Sequence, residues 1–75
     1  MYIISIKTDS RLENISEVQE VLTKYGKNIN TRLGVHNPAE EDLGLIIITY
    51  VAENVDEVVE ELNSISDVVA NFMKA

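Results

Sequence analysis

The stretch Leu43-Gly-Leu-Ile-Ile-Ile-Thr-Tyr-Val51 decides the fold of this chain. A β-strand points alternate side chains to opposite faces of its sheet, so a strand with one wet face alternates apolar and polar residues. This stretch is apolar at nearly every position, which predicts a strand that is covered on both faces. The rest of the sequence supplies only two convincing amphipathic helices, and in a small sheet these lie on one face. We therefore expect a second copy of the chain to cover the other face.

Length and composition indicate one domain over residues 1–75. A chain of 75 residues is too short for two hydrophobic cores, and its 45% apolar and 25% charged content is ordinary for a folded domain. The absence of cysteine excludes disulfides and thiolate metal ligands and fits a reducing compartment. The apolar stretch is about half the length of a membrane span, and the first residues lack signal-peptide architecture. These features predict a cytoplasmic protein with no membrane partner.

The charge balance argues against direct binding of nucleic acid. Thirteen acids oppose six bases, for a formal charge of −7, whereas nucleic-acid affinity comes largely from clustered cations. The acids cluster at 40–42 and again along 56–61. We interpret these clusters as a solvated turn and a solvated helix face. Metal binding is the alternative, but the spacing of a calcium loop is missing.

The first half of the chain predicts a strand, a helix and a second strand. Tyr2–Thr8 alternates as a half-buried strand does. Asn14 with Glu17 three residues later matches a helix start, and Gly26 is expected to end that helix in the left-handed conformation. The helix has an apolar stripe of Ile15, Val18, Leu22 and Tyr25. One side of the second strand is predicted to be apolar and consists of Ile29, Thr31, Leu33 and Val35.

The second half repeats this order. The Asn37-Pro38 pair and the acids after it predict a loop, and the Ile-rich stretch is the third strand. Asn54 with Glu57 repeats the capping pattern, and 67–73 predicts a fourth strand. The second helix has an apolar stripe of Val55, Val58, Val59, Leu62 and Ile65. The order βαββαβ with right-handed crossovers predicts an α+β, ferredoxin-like sandwich: a four-stranded antiparallel sheet with two helices on one face.

Several of these pieces resemble a known family. The segment Asn30-Thr-Arg-Leu-Gly-Val-His36, a Pro-containing acidic loop, Gly44-Leu-Ile-Ile-Ile48 and the return Ser66-Asp-Val-Val69 are similar to the iron-only hydrogenase system regulators. That family in turn resembles ACT-type regulatory domains and the C-terminal domain of the nickel-responsive repressor. The resemblance covers nearly the whole chain. It implies an ACT-like, homo-oligomeric sensor of a small effector, either a dimer or a tetramer.

Three residues of the second strand are the candidate ligand-binding site. Arg32 lies on the polar side of the strand, where a guanidinium can hold a carboxylate or phosphate with two hydrogen bonds; a salt bridge is the alternative. Gly34 either relieves a bulge or lets a ligand or partner approach closely. His36 is more typical of a surface residue than of a ligand or pH sensor. If Arg32 takes part, the ligand is a small anion.

No metal, cofactor or catalytic residue is expected. By the resemblance only His36 matches one of the nickel ligands of the repressor, Gly34 stands two positions before it, and a square-planar nickel site needs four nitrogen or sulfur donors. Nucleophilic catalysis needs a serine or cysteine beside a positioned base, and no motif links His36 to a serine. Arg11 follows the first strand as in acylphosphatases, but the loop between them has no glycine.

The sequence therefore predicts an oligomeric small-ligand-binding regulatory domain rather than an enzyme. The repressor's ribbon-helix-helix segment is not found before the first strand, so a transcriptional or metabolic role would run through a partner protein. The alternative is a protein-interaction or dimerisation module without a ligand. A small hydrolase is a third and weaker hypothesis.

Overall fold

A computed structural model describes residues 1–8, 11–36 and 44–75, apart from the side chains at 11–13 and 36. The elements are β1 (Tyr2–Thr8), α1 (Arg11–Lys24), a short 3₁₀ helix (Gly26–Asn28), β2 (Ile29–His36), β3 (Gly44–Tyr50), α2 (Asp56–Asn63) and β4 (Val68–Lys74).

The four strands form one antiparallel sheet in the order β2-β3-β1-β4. The Ile-rich strand β3 is central, as expected, and pairs with β1 on one side and β2 on the other. Its register with β1 places Ile4 opposite Ile48 and Ile6 opposite Ile46. This is the α+β ferredoxin-like arrangement that the order of elements predicts.

The hydrophobic core lies between the sheet and the helices. Ile4, Ile6 and Ile48 are fully buried at the centre of the sheet, and directly opposite residues in an antiparallel pair point to the same face. The predicted helix stripes supply the other side of the core. From the helices and the turn after α2, the buried side chains are Val18, Leu22, Val55, Val58, Leu62 and Ile65. Of the other two members of the first stripe, Tyr25 is half-buried and Ile15 is exposed.

The opposite face of the sheet carries no described helix and mixes apolar side chains with polar ones such as Ser5, Thr49 and Asn71. Leu33 of β2 and Met73 of β4 are 57% and 60% exposed, large fractions for such side chains. Between them lie the half-buried Ile3 of β1 and Ile47 of β3. We call this surface the open face. Within one subunit it is the uncovered side of the strand that the Ile-rich stretch forms.

A bulge in β2 corrects the predicted apolar side of that strand. Ile29 pairs with Tyr50 and Thr31 with Thr49, so the register shifts between Ile29 and Thr31. Tyr50 and its neighbour Thr49 point to opposite faces of the sheet, and so do their partners Ile29 and Thr31. The extra residue of the bulge, Asn30, therefore puts Ile29 on the other face from Thr31, Leu33 and Val35. Ile29 packs against the core, whereas Leu33 lies on the open face. The prediction that these side chains form one row was wrong.

The predicted helix ends also need correction. Helix α1 begins at Arg11, so Asn14 lies inside it and is buried rather than capping an exposed end. Helix α2 begins after Val55, and no side chain caps it there; Asn54 is outside. Gly26 starts the 3₁₀ helix, and no described glycine has a positive φ. Local capping signals misplaced both starts because packing against the sheet sets where the helices begin.

Candidate functional site

Strand β2 places the three predicted site residues along one edge of the sheet. Arg32 lies opposite Ile48, Gly34 opposite Ile46, and His36 opposite Gly44. The side chain of His36 is outside the described residues. Arg32 is exposed, and no described residue forms an ion pair or hydrogen bond with it. A salt bridge, the alternative for Arg32, is therefore not found among the described residues.

Gly34 borders a cavity of about 230 Å³ at the end of the sheet where β1 finishes and β3 begins. We call it the Gly34 cavity. The bulge of β2 is at Asn30, so the suggestion that Gly34 relieves a bulge was wrong. A Cβ at Gly34 would meet nothing within 4 Å, which leaves space beside the backbone. Its lining is mostly apolar: Thr8, Ile15, Gly34, Val35, Gly44, Leu45 and Ile46. Arg32 does not line it.

Two buried polar groups near this end of the sheet have no hydrogen-bond partner among the described residues. The hydroxyl of Thr8, which lines the cavity, belongs to a side chain that is only 1% exposed. The Nδ2 of Asn14 is equally unpaired among the described residues, and Asn14 is 5% exposed, but Asn14 does not line the cavity. Buried donors are nearly always satisfied because leaving one unpaired costs about 1 to 3 kcal/mol. Such groups can donate a hydrogen bond to an oxygen atom of a ligand.

Sequence reasoning did not identify Thr8 as a site residue or Asn14 as a buried, unpaired one. Thr8 is the last residue of an alternating strand, and alternation alone gives it a side of the sheet but no neighbours. Asn14 carried a signal that was interpreted as a helix cap. The available clue was its place four residues before Val18 on the apolar stripe, since residues at that spacing share a helix face.

A second polar cluster lies at the opposite end of the strands, where α1 meets α2. The hydroxyl of Tyr25 donates a hydrogen bond to Glu61, and Lys24 Nζ lies 2.8 Å from Glu61 Oε1. The hydrogen bond to Glu61 raises the pKa of Tyr25 to about 12, because it favours the protonated phenol. Lys24 first, and then Tyr25, lower the pKa of Glu61 from its ordinary value. Glu61 thus joins the two helices.

The hydroxyls of the other two tyrosines also have protein partners. Tyr50 Oη accepts a hydrogen bond from Asn28 Nδ2 at 3.4 Å, and Tyr2 Oη donates one to the carbonyl of Glu53 at 3.3 Å. Tyr50 belongs to the core, and the half-buried Tyr2 packs against it.

The acidic clusters divide between described and undescribed residues. Cluster 40–42 lies outside the described residues. In the other cluster, Asp56, Glu57 and Glu60 are exposed, as a solvated helix face requires. Within 1–8, 11–36 and 44–75, no three histidine, cysteine, aspartate or glutamate side chains group as metal ligands do. Across the same residues, neither helix has the length and apolar character needed to cross a membrane.

Comparison with known proteins identifies the fold and no more. No family model and no curated protein matches the chain. Among solved structures, it is similar to the uncharacterized protein TM1266 from Thermotoga maritima, with a TM-score of 0.86 and 24% sequence identity. The match covers 96% of this chain and 91% of that chain. This likeness establishes that the chain shares the fold of TM1266. One fold serves many functions, so the likeness establishes the fold alone.

Proposed function

We propose that the chain is a self-associating, ACT-like regulatory domain that binds a small ligand at the Gly34 cavity. The observation that carries the proposal is the unpaired hydroxyl of Thr8, buried beside this cavity. A ligand oxygen would satisfy that hydroxyl. Since the hydroxyl can donate, the favoured ligand is a small anion such as a carboxylate. Arg32, on the neighbouring edge, would bind only a ligand that reaches beyond the cavity.

Self-association is proposed through the open face. Leu33 and Met73 are exposed there, and the half-buried Ile47 and Ile3 connect them diagonally across the sheet. Contiguous apolar patches of this kind usually mark an interaction site. A second copy of the chain supplies a matching surface, because the same patch faces itself across a twofold axis. The result would be a dimer, or a tetramer if a second surface takes part.

The proposed biological role is regulation through a partner protein rather than catalysis. The described lining of the Gly34 cavity offers a hydroxyl, backbone and apolar groups, a composition suited to binding. We further propose membership of the iron-only hydrogenase system regulators, on the resemblance of segments 30–36 and 44–48. TM1266 supports the shared fold but, being uncharacterized, adds nothing about the effector.

The ligand proposal is tested by thermal unfolding of the full chain with small carboxylates, amino acids, nucleotides and divalent metals. A ligand that binds only the folded state raises Tm with its concentration. We expect a carboxylate to do so for the wild type and not for Thr8→Val, which keeps the shape and removes the hydroxyl. Arg32→Ala, if it leaves the shift unchanged, removes Arg32 from the site. A panel with no active compound contradicts the ligand proposal.

Self-association is tested by sedimentation of the same chain. The wild type should be larger than one subunit at micromolar concentration, and Leu33→Asp should sediment as a folded monomer. Thr23→Asp adds the same charge to the exposed surface of α1 and should leave the assembly intact. A folded monomer for the wild type at all concentrations overturns this part of the proposal.

The second candidate is an interaction module that has no small ligand. The open face favours it, because an apolar surface is sufficient for docking and needs no cavity. The two candidates differ in one result. The module predicts loss of assembly in Leu33→Asp together with no ligand-induced rise in Tm.

A further inference from the structure

Strand β2 lies at one edge of the sheet and is exposed along most of its length. It is the last strand in the order β2-β3-β1-β4, and every residue from 30 to 35 is exposed. A strand that is covered on one face buries alternate side chains, whereas this stretch buries none. The apolar Leu33 and Val35 are among its exposed residues. Within one subunit, this part of β2 therefore gains little burial from the fold.

The outer edge of β2 is also open to a further strand. An edge strand has unpaired backbone N–H and C=O groups and can pair with another strand. At the other edge of the sheet, Asn63 of α2 bonds to both backbone groups of Ala70, so part of β4 is already occupied. No described element lies beyond β2. After the bulge at Asn30, residues 31–36 pair regularly with β3 and include no proline or lysine, the residues that discourage edge pairing.

The Gly34 cavity lacks a cation for the carboxylate proposed there. Its described lining offers the hydroxyl of Thr8 and otherwise apolar or backbone groups. That hydroxyl is unpaired among the described residues, and Thr8 is 1% exposed. Holding a carboxylate in mostly apolar surroundings is costly unless a positive charge neutralises it. The cavity of a single subunit is therefore an incomplete site for an anion.

Arg32 has the charge that the cavity lacks, and it lies on the same face of the sheet. Arg32 is opposite Ile48, which is fully buried under the helices. Gly34 is opposite Ile46, another core residue. Directly opposite residues share a face, so Arg32 and Gly34 both belong to the face that the helices cover. In its own subunit Arg32 does not line the cavity, and it has no ion-pair partner among the described residues.

Antiparallel pairing of two β2 strands about a twofold axis at Leu33 places Arg32 of each copy directly opposite Gly34 of the other. The same register sets Leu33 beside Leu33 of the partner subunit and Thr31 beside Val35. Pairing centred on Arg32 would instead oppose two like charges, which is destabilising. A Cβ at Gly34 would meet nothing within 4 Å, so a long side chain from the partner has room to cross Gly34 toward the cavity.

We infer that two copies of the chain pair along β2 in this register, and that Arg32 of each copy completes the Gly34 cavity of the other as a carboxylate site. The guanidinium of the partner subunit donates two hydrogen bonds to the carboxylate. Thr8 of the subunit that holds the cavity donates a third. The inference rests on the function proposed above and deepens it, because it names the residue that the second subunit contributes. The open faces of both copies then lie on one side of a continuous sheet.

Cysteine cross-linking tests the pairing, because the chain itself has no cysteine. Directly opposite residues have Cα atoms about 4.5 to 5.5 Å apart, which suits a disulfide. Arg32→Cys and Gly34→Cys subunits that are unfolded and refolded together should form a disulfide-linked dimer under mild oxidation, and neither variant should do so alone. A dimer from Gly34→Cys alone would move the axis to Gly34, and no dimer in the mixture would exclude the pairing. Either result overturns the inference.

Titration of the isotopically labelled full chain with acetate tests the composite site through the NMR signal of the Thr8 amide. Ionic strength is held constant, because salt screens charges. Arg32→Ala should weaken acetate binding about tenfold or more, as expected for a lost charge-assisted pair. Gly34→Val places a side chain in the path of the arginine and should weaken binding to a similar extent. Lys27→Ala, the matched control, removes an exposed cation before β2 and should change nothing.

Refolding the Arg32→Ala and Gly34→Val subunits together decides which subunit supplies the arginine. A mixed pair joins the open cavity of the first variant to the intact arginine of the second, so the mixture should regain tight acetate binding at part of its sites. If Arg32 acts within its own subunit, the mixture regains nothing and the inference is overturned. Wild-type affinity in Arg32→Ala overturns the composite site alone, whereas a wild type that does not bind acetate overturns the proposed carboxylate ligand with it.

Discussion

Asn63, the last residue of α2, forms two hydrogen bonds with the backbone of Ala70 in β4. Its Nδ2 donates to the carbonyl of Ala70 at 3.1 Å, and its Oδ1 accepts from the amide of Ala70 at 2.7 Å. Ala70 lies opposite Ile6 of β1, and β4 is an edge strand with β1 as its neighbour. An edge strand leaves backbone groups unpaired. Here one side chain satisfies both groups and joins α2 to the edge.

Replacing Asn63 tests the importance of this connection. In Asn63→Ala both backbone groups of the buried Ala70 lose their partner, which should lower the free energy of unfolding by about 1 to 3 kcal/mol. Asn54→Ala, which removes an exposed amide before α2, is the matched control and should cost much less. Urea unfolding of both variants measures the difference. Equal losses would show that the connection adds nothing to stability.

Two adjacent residues of β3 distinguish the covered face from the open face. Ile48 is fully buried under the helices, so Ile48→Ala should cost about 2 to 5 kcal/mol. Ile47 points to the open face and is half-buried, so Ile47→Ala should cost clearly less at nanomolar concentration. If a second copy covers the open face, the cost of Ile47→Ala grows with protein concentration. Chemical unfolding at two concentrations checks both statements.

The contact of Glu61 with Lys24 and Tyr25 predicts how stability depends on pH. The pKa of Glu61 is lowered in the folded state, so its contribution is present above the ordinary value of 4.5 and is lost as pH falls through the folded pKa. The raised pKa of Tyr25 acts in the opposite sense: its contribution is full below 10 and is lost as pH rises toward 12.

Glu61→Gln provides the comparison for this prediction. The stability difference between wild type and Glu61→Gln should be largest near neutral pH and shrink in acid. Tyr25→Phe should remove the part of the alkaline loss that Tyr25 causes. Unfolding curves recorded across the acid and alkaline ranges measure both. A difference that does not vary with pH would contradict the assignment, since the glutamine side chain of the variant does not titrate.

Asp67 occupies a backbone conformation that most residues avoid. Its φ is 64°, in the left-handed region, and the turn is closed by a hydrogen bond from the amide of Val68 to the carbonyl of Ile65 at 3.2 Å. Aspartate tolerates this region better than β-branched residues do. Asp67→Val should therefore lower the free energy of unfolding by about 1 to 2 kcal/mol, whereas Asp67→Gly should be close to neutral. Thermal unfolding ranks the three proteins, and a Val variant as stable as the Gly variant would exclude backbone strain.

Thr8→Val should stabilise the ligand-free protein. Valine keeps the shape of the side chain and removes a buried hydroxyl without a partner, which should add about 1 kcal/mol. The same change should abolish the ligand effect expected at the Gly34 cavity. Thr49→Val is the comparison, because the hydroxyl of Thr49 is also buried and unpaired but does not line that cavity. It should stabilise without altering ligand binding, and destabilisation by Thr8→Val would contradict the prediction.

Local periodicity was the reliable part of the sequence. Strand β1 has its predicted bounds, and the apolar stripes of both helices supply the core, because alternation and helical spacing depend on neighbouring residues alone. The candidate site was predicted less well. Gly34 does border a cavity, but Arg32 does not line it. Thr8 and Asn14, with their unpaired groups, were missed because burial of a hydroxyl or an amide depends on which element packs against it.

The sequence by itself determined the order of elements, the alternation of β1 and the excess of apolar residues in β3. These properties follow from side-chain chemistry and short-range spacing. Only the tertiary structure decided that the bulge at Asn30 turns Ile29 into the core while leaving Leu33 exposed, and that Asn63 reaches Ala70. Such relationships join residues distant in the chain, whose proximity depends on how the sheet pairs and where each helix crosses it.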